Sequence, residues 1–202
     1  MTKLNKSKLE AYLKKKILPD LEKGRPNWDK PHTLEVVAYI KRIIKNTPNL
    51  KVDKAVLIIA AYAHDWGYVG LFDQNQPADF ENVKNAKPKH MVIGAKKLSK
   101  LLADKFFSFL TKAQKQRCVH LVAIHDQPAK LKAIDELVLM EADMLSGLNV
   151  KSVKPTFDFA SNKKFIHEVK TLRIPKFINQ YSKKEAKKLI RERLNYYKKR
   201  LK

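Results

Sequence analysis

The sequence has few of the residues that interrupt helices or form disulfides. Among 202 residues there are five glycines and one cysteine, Cys118, which lies in an apolar helical pattern where we expect a small buried hydrophobe. A single cysteine excludes an intrachain disulfide, which fits a reducing compartment. The longest apolar run, Ala55 to Ala63, has nine residues, well short of the ~20 that cross a bilayer. We therefore expect no transmembrane segment and a cytoplasmic location.

Acidic residues are also scarce. There are 20 Asp and Glu against 43 Lys and Arg, which gives a net charge of +23. A protein with this positive charge attracts anions such as nucleotides, RNA, polyphosphate or acidic lipid. Residues 161–202 alone hold fifteen Lys and Arg against three Asp and Glu. We interpret this region as a basic helical extension that packs on the rest of the chain. Nucleic-acid or membrane-surface binding through it, and a homodimer, stay open.

No stretch shows the alternation of apolar and polar residues that is typical of strands. Apolar residues instead recur at helical spacing, which predicts an all-α helical bundle. We expect one domain over residues 1–202, with a core at about 25–150 and the basic extension at 151–202. Prolines mark two predicted helix boundaries. A first helix over residues 3–18 should stop near Pro19. An irregular stretch over residues 71–88 should end at Pro88 and form either a flap over the site or a mobile loop.

The stretch from Lys54 to Gly70 organises the chain. Its apolar run predicts a helix that is buried on nearly all sides and that leads directly into His64 and Asp65. A buried carboxylate costs several kcal/mol unless it is paired, hydrogen-bonded or bound to a metal. One cation would satisfy both side chains. For an isolated His-Asp pair, a polar helix end that faces water is the alternative.

Other ligand-type residues favour the metal interpretation. Each lies at or beside an apolar helical stretch, and they are His32, His90, His125 and Asp143. Imidazole and carboxylate form a ligand set for divalent transition metals. His120 lies about 140° around the same helix from His125, so we expect it to face elsewhere.

The order His32, His64–Asp65, Asp143 resembles the H…HD…D signature of the HD-domain metal-dependent phosphohydrolases. The local sequences AHDWGY and EADML are similar to that family as well, over about residues 25–150. His90 and His125 resemble the branch that holds two metals. The resemblance implies one metal on His32, His64, Asp65 and Asp143, with Asp65 bridging to a second on His90 and His125. Iron, manganese, cobalt or nickel would suit this set, as one ion or two.

The resemblance also implies an activity. Metal-bound hydroxide would attack a small phosphorylated substrate, with a nucleotide preferred; phosphomonoesterase, phosphodiesterase and pyrophosphohydrolase activities stay open. Asp65 and Asp126 are the candidate catalytic residues, Asp126 either accepting a proton or orienting His125. Candidates for phosphate binding, by position only, are Arg25, Lys87, Lys89 and Lys130.

Two other functions compete. One is a basic RNA- or anionic-surface-binding helical protein with a structural or vestigial metal site. The other is an HD-type oxygenase with a di-iron centre. The paired histidines and Gly-Tyr-Pro motif of the cyclic-dinucleotide enzymes are missing, since Asp126 follows the lone His125. A small nucleotide phosphohydrolase is therefore the preferred interpretation.

Overall fold

The computed structural model describes residues 6–73, 75, 76 and 79–200, and throughout these ranges every regular element is helical. The predicted all-α class is confirmed. The α-helices are α1 (Lys6–Leu21), α2 (Asp29–Asn46), α3 (Lys54–Ala63), α4 (Phe80–Leu101), α5 (Lys112–Ile124), α6 (Ile134–Leu148), α7 (Phe159–Glu168) and α8 (Gln180–Lys198). None of the described helices is both long and apolar enough to span a membrane.

Helix α3 lies at the centre of the bundle. It begins at Asp53, whose carboxylate accepts hydrogen bonds from the amides of Ala55 and Val56, and every residue from Val56 to Ala63 is buried. Helices α1, α2, α4, α5 and α6 all pack against it. Because neighbours surround it, its sequence is apolar on all sides, as predicted.

The two boundaries predicted from proline are wrong. Helix α1 continues through Pro19 to Leu21, and α4 begins at Phe80, eight residues before Pro88. Proline removes only one backbone donor, and burial of Phe80 and Val83 on α4 outweighs that loss. The Asp79 carboxylate also caps α4 by accepting from the amide of Asn82 at 2.7 Å. The irregular stretch therefore ends before residue 80, and Lys87 lies on a helix.

The C-terminal region packs on the bundle. Helix α7 contacts α4, and α8 contacts α6 and α2; between them lie a π-helical turn (Val169–Arg173) and a 3-10 turn (Ile174–Lys176). Helix α8 buries Ala186, Leu189, Ile190 and Tyr197. It also buries Arg193, which donates to the carbonyl oxygen of Gly147 at the end of α6.

Candidate metal centre

Six ligand-type side chains converge at the middle of the bundle. They come from the start of α2, the end of α3, the middle of α4, the end of α5 and the interior of α6, and all are buried. They form two groups, and in each group one ligand atom per residue lies within 4.8 Å of the others. The groups are His32, His64 and Asp143, and Asp65, His90 and His125.

Asp65 lies between the two groups. Its Oδ2 is 3.2 Å from His64 Nε2 and 3.4 Å from His32 Nε2. Its Oδ1 is 3.6 Å from His90 Nε2 and 3.7 Å from His125 Nε2. The two oxygens of one carboxylate thus face different histidine pairs, which is the geometry that a bridging ligand requires.

The contacts behind the rings set which nitrogen carries the proton. His64 Nδ1 lies 2.8 Å from the carbonyl oxygen of Ala61, and His125 Nδ1 lies 2.9 Å from that of Val122. Because a carbonyl only accepts, each Nδ1 donates and each Nε2 is left with a lone pair. Ser146 has the same effect on His32: its hydroxyl donates to the His32 carbonyl oxygen and lies 2.9 Å from Nδ1, from which it accepts.

These lone pairs point at one another. The Nε2 atoms of His32 and His64 are 3.3 Å apart, and those of His90 and His125 are 3.2 Å apart. Two acceptors this close repel unless a proton or a metal ion lies between them. The outward hydrogen bonds and the inward lone pairs together match the usual arrangement of metal-binding histidines, so the residues present fit a metal.

The protonation equilibria also suit a cation. Burial disfavours the charged imidazole of His64, but Asp65 and Asp143 outweigh it and raise its pKa to about 9. Burial and the neighbouring His125 lower the pKa of His90 to about 3, which keeps that ring neutral. Burial opposes ionisation of Asp65, yet Arg25 and His64 hold its pKa well below the usual range. A metal at His64 would take the place of the proton that the carboxylates otherwise attract.

A close backbone approach fixes the turn that carries His64 and Asp65. The chain continues from them into the 3-10 turn Trp66–Tyr68, which packs on α4. A Cβ atom on Gly67 would lie 1.8 Å from the carbonyl oxygen of His90. Glycine is therefore required at position 67, because only a residue without a side chain lets this turn pack so closely on α4.

Aromatic rings brace the ligands. Tyr68 stacks on His90 with ring centroids 3.9 Å apart, and Trp28 stacks on His32 at 5.4 Å. The guanidinium of Arg25 lies 4.1 Å from the Tyr68 ring centroid and forms ion pairs with Asp65 and Asp29. The Asp29 carboxylate accepts hydrogen bonds from the Arg25 amide at 2.5 Å and from Arg25 Nε at 2.6 Å.

Asp126 belongs to a second group of buried charges. Its Oδ1 lies 2.5 Å from Arg173 Nη2 and 3.3 Å from Lys87 Nζ, and both cations also contact Glu168. Burial opposes ionisation of Asp126, but Lys87 and Arg173 hold its pKa far below the usual range. The carbonyl of Val122, rather than Asp126, accepts from the His125 ring. Asp126 therefore forms ion pairs with Lys87 and Arg173 at the edge of the pocket, and its role as a proton acceptor stays a prediction.

The remaining predicted residues separate into two sets. Arg25, Lys87 and Asp126 line a pocket beside the centre together with Asp65, His32 and Asp143. Lys89 and Lys130 are exposed and are not among the pocket-lining residues, so the structure does not bring them to the site. His120 faces away from the site, as predicted, and contacts Glu136. Cys118 is buried as a free thiol.

Several residues of the site had no signal in the sequence. Trp28, Tyr68, Ser146, Glu168 and Arg173 acquire their roles only through packing. The AHDWGY sequence contains Tyr68, but nothing in a linear pattern places its ring on His90. Arg173 is almost wholly buried, although the sequence of the region around it is basic throughout.

A helical bundle with two buried His/Asp groups at its centre is the class of fold and site that can hold divalent metal ions. The family model described as HD domain matches residues 31–148, which contain all six ligand-type side chains. That is more than half of the chain, and the chain belongs to the HD domain family. Members of this family are generally metal-dependent phosphohydrolases. Searches among curated proteins and among solved structures give no significant match.

Proposed function

We propose that the protein is a metal-dependent phosphohydrolase that acts on a nucleotide or another small phosphate ester or anhydride. The observation that carries this proposal is the position of Asp65 between the two histidine pairs. His32, His64 and Asp143 would hold one ion, His90 and His125 a second, and Asp65 would contact both. Such a pair of divalent ions lowers the pKa of a bound water and neutralises phosphate oxygens.

The charge of the centre supports this proposal. The two groups of buried charges at and beside the centre together include five carboxylates, those of Asp29, Asp65, Asp126, Asp143 and Glu168. They include three permanent cations, Arg25, Lys87 and Arg173. With neutral histidines this set has an excess of two negative charges. One divalent cation would cancel the excess, whereas two would reverse it and leave a centre that attracts a phosphate dianion.

The protein side chains have separate tasks in this proposal. Arg25 and Lys87 line the pocket and would hold phosphate oxygens, each kept in place by its carboxylate partners. Ser146 and the carbonyls of Ala61 and Val122 contact Nδ1 of three histidines, which leaves Nε2 as the nitrogen that would bind the ion. Tyr68 and Trp28 cover two of the rings and limit the access of water to them.

We also propose that residues 1–202 form one domain. Thr156, Phe157 and Phe165, which follow the family match, line the same pocket as Asp65. The pocket needs residues from both regions and would not survive their separation. Removal of residues 151–202 should therefore abolish soluble expression or activity.

A screen of phosphate esters tests the proposed activity. The full chain, loaded with Mn²⁺, is assayed for hydrolysis of nucleoside mono-, di- and triphosphates, a cyclic nucleotide, a phosphodiester and pyrophosphate, with the products separated by chromatography. Metal-dependent turnover of at least one class, abolished by chelator and restored by Mn²⁺, is the expected result. Absence of turnover in all classes by protein that retains its metal would contradict the proposal and favour a binding protein or an oxygenase.

A further inference from the structure

A large groove lies between α1, α2 and the first half of α3, apart from the metal centre. Its volume is about 760 Å³, within the range of roughly 300–1,000 Å³ that is typical of small-molecule sites. None of its lining residues also lines the pocket beside the metal centre. Six of its lining residues are apolar and buried or half-buried against the core: Leu9, Ile44, Val52, Ala55, Ile58 and Phe109. We call this site the α3 groove.

The two carboxylates of the α3 groove already have partners. Glu10 lies 2.7 Å from Lys41 Nζ and accepts a hydrogen bond from the Tyr62 hydroxyl at 3.2 Å. Asp53 caps α3 by accepting from its first amides, and its other oxygen accepts from Gln114 Nε2 at 2.7 Å. Because both carboxylates are engaged in this way, neither is free to bind a cationic ligand.

Two lysines of the groove have no such partner. Lys45 is in the last turn of α2 and Lys54 is the first residue of α3, so both flank the short connection between these helices. Within the described ranges of the chain, neither ammonium group forms an ion pair or a side-chain hydrogen bond. The unpaired charge among these lining residues is therefore positive, and it lies beside an apolar surface.

This combination matches a ligand that has one anionic end and an apolar body. A carboxylate would pair with the two ammonium groups. The described lining side chains offer no unpaired hydroxyl or amide group, so the polar atoms of a sugar or a base would lose their hydrogen bonds to water without replacement. A hydrocarbon chain has no such bonds to lose, and it gains from burial against the six apolar residues.

We propose that the α3 groove binds a free fatty acid, with the carboxylate at Lys45 and Lys54 and the hydrocarbon chain along Ile44, Ala55 and Ile58. The apolar residues line a concave site rather than a protruding surface, which favours a single free acid over the face of a membrane. This second ligand site goes beyond the proposed hydrolytic function and does not depend on it.

Calorimetry on the full chain compares decanoate with hexanoate and decanol, each in the range where it is dissolved and monomeric. We expect decanoate to bind at least about tenfold more tightly than hexanoate, because each buried methylene adds about two- to fourfold. Decanoate should also bind about three- to tenfold more tightly than decanol, because two exposed ion pairs supply the difference. The decanoate affinity should be the same without Mn²⁺ and after loading, once unbound Mn²⁺ has been removed, which excludes the metal centre as the site.

Three variants locate the binding site. Lys45→Gln combined with Lys54→Gln should remove the preference for decanoate over decanol and leave the decanol affinity unchanged. Both lysines are exposed, so these substitutions should leave the fold intact. Ala55→Phe should weaken the binding of both ligands at least about fivefold, because the new ring occupies the groove. Lys51→Gln is the matched control: Lys51 is exposed in the same connection and does not line the groove, so this variant should bind both ligands as the wild type does.

Equal affinities of the wild type for decanoate and decanol would overturn the inference. It would also be overturned by a preference that survives in the double lysine variant or disappears in Lys51→Gln, by a decanoate affinity that depends on bound Mn²⁺, or by unchanged binding in folded Ala55→Phe.

Flotation with phosphatidylglycerol vesicles tests the competing partner. Vesicle association that disappears in the double lysine variant, without decanoate binding in solution, would overturn the inference and show that the groove faces a membrane. None of these results bears on the proposed hydrolysis, because the two sites share no lining residue.

Discussion

At the scale of single residues, Asp65 is the side chain on which both halves of the centre depend. We expect Asp65→Ala to lose bound metal at both groups and to lose nearly all phosphate release, because each carboxylate oxygen faces a different histidine pair. Elemental analysis and a phosphate assay measure the two effects. His120→Ala is the control: its ring is half exposed, faces away from the centre and pairs with Glu136, so turnover should change by no more than a few fold. Equal losses in the two variants would contradict the assignment.

The ligand-type residues could be predicted from the sequence, but their supporting contacts could not. Each of the six lies in an apolar helix or directly after one, and all are buried; they are His32, His64, Asp65, His90, His125 and Asp143. Ser146 and Tyr68 have no such signal. Their roles depend on which helix lies opposite, and Ser146 is 114 residues from the His32 ring that it contacts. The contact between Asp126 and Arg173 could not be predicted either, because Arg173 lies far away in the sequence, in the C-terminal region.

At the scale of elements, the turn after α3 is fixed by the absence of a side chain. We expect Gly67→Ala to destabilise the fold by at least about 2 kcal/mol and to lower metal content, because the added Cβ overlaps backbone atoms of His90 and Gly94 that cannot move separately. Urea unfolding and elemental analysis measure both. Gly70→Ala is the comparison: its φ of +79° makes alanine strained, but no atom lies within 4 Å of the new Cβ. Gly70→Ala should lose some stability and keep its metal. A larger loss of stability and metal in Gly70→Ala than in Gly67→Ala would contradict this interpretation.

The start of α6 gives a pH-dependent contribution to stability. The Glu136 carboxylate accepts from the amides of Lys132 and Ala133 and pairs with Arg117 and His120. Burial opposes its ionisation, but these donors lower its pKa from 4.5 to about 2. Because the folded-state pKa is the lower one, the contribution is present in full above the unfolded-state pKa. It is lost as the pH falls from about 4.5 toward 2.

Glu136→Gln tests this contribution. The free energy of unfolding of the variant should fall below that of the wild type by about 2 kcal/mol at pH 7, and the difference should shrink at pH 3.5. Denaturant unfolding followed by circular dichroism at the two pH values measures it. A difference that stays constant with pH would mean that the charge of Glu136 contributes nothing.

The two helix boundaries that the sequence predicted wrongly both depend on proline. Pro19 and Pro88 were interpreted as helix boundaries, yet both lie inside helices. A single missing donor is a local cost, whereas the burial of Phe80 and Val83 depends on the whole bundle and cannot be read from the local sequence. In helix α8 the apolar Leu194 is exposed, and the buried position of that turn belongs to Arg193.

At the scale of the whole molecule, Arg193 ties the basic C-terminal region to the bundle. Its Nε donates to Asn162 at 2.6 Å and its Nη1 to the carbonyl oxygen of Gly147 at 2.7 Å. Arg193→Met should lower the unfolding free energy by about 3 kcal/mol, because it removes charge-assisted hydrogen bonds and leaves buried acceptors unpaired. The melting temperature would fall by roughly 6–12 °C. Arg191→Met, at an exposed position of the same helix, should leave the melting temperature unchanged. Similar shifts in the two variants would show that α8 is not held through the Arg193 side chain.

The basic composition, by contrast, does not identify a partner. Lys187, Lys188, Arg191 and Lys198 are exposed on α8, opposite the face that packs on α6. We expect a variant with these four residues neutralised to keep its stability and its hydrolysis of small esters. Salt-dependent binding of RNA or anionic vesicles that disappears in this variant would show that α8 has a second role.

The central claim is that two metal ions lie on either side of Asp65, and anomalous scattering from crystals of the full chain grown with Mn²⁺ tests it most directly. The account predicts two peaks. One should be in contact with His32, His64 and Asp143, the other with His90 and His125, and each with a different oxygen of Asp65. A single peak, with His90 and His125 free of metal, or no peak near Asp65, would contradict it.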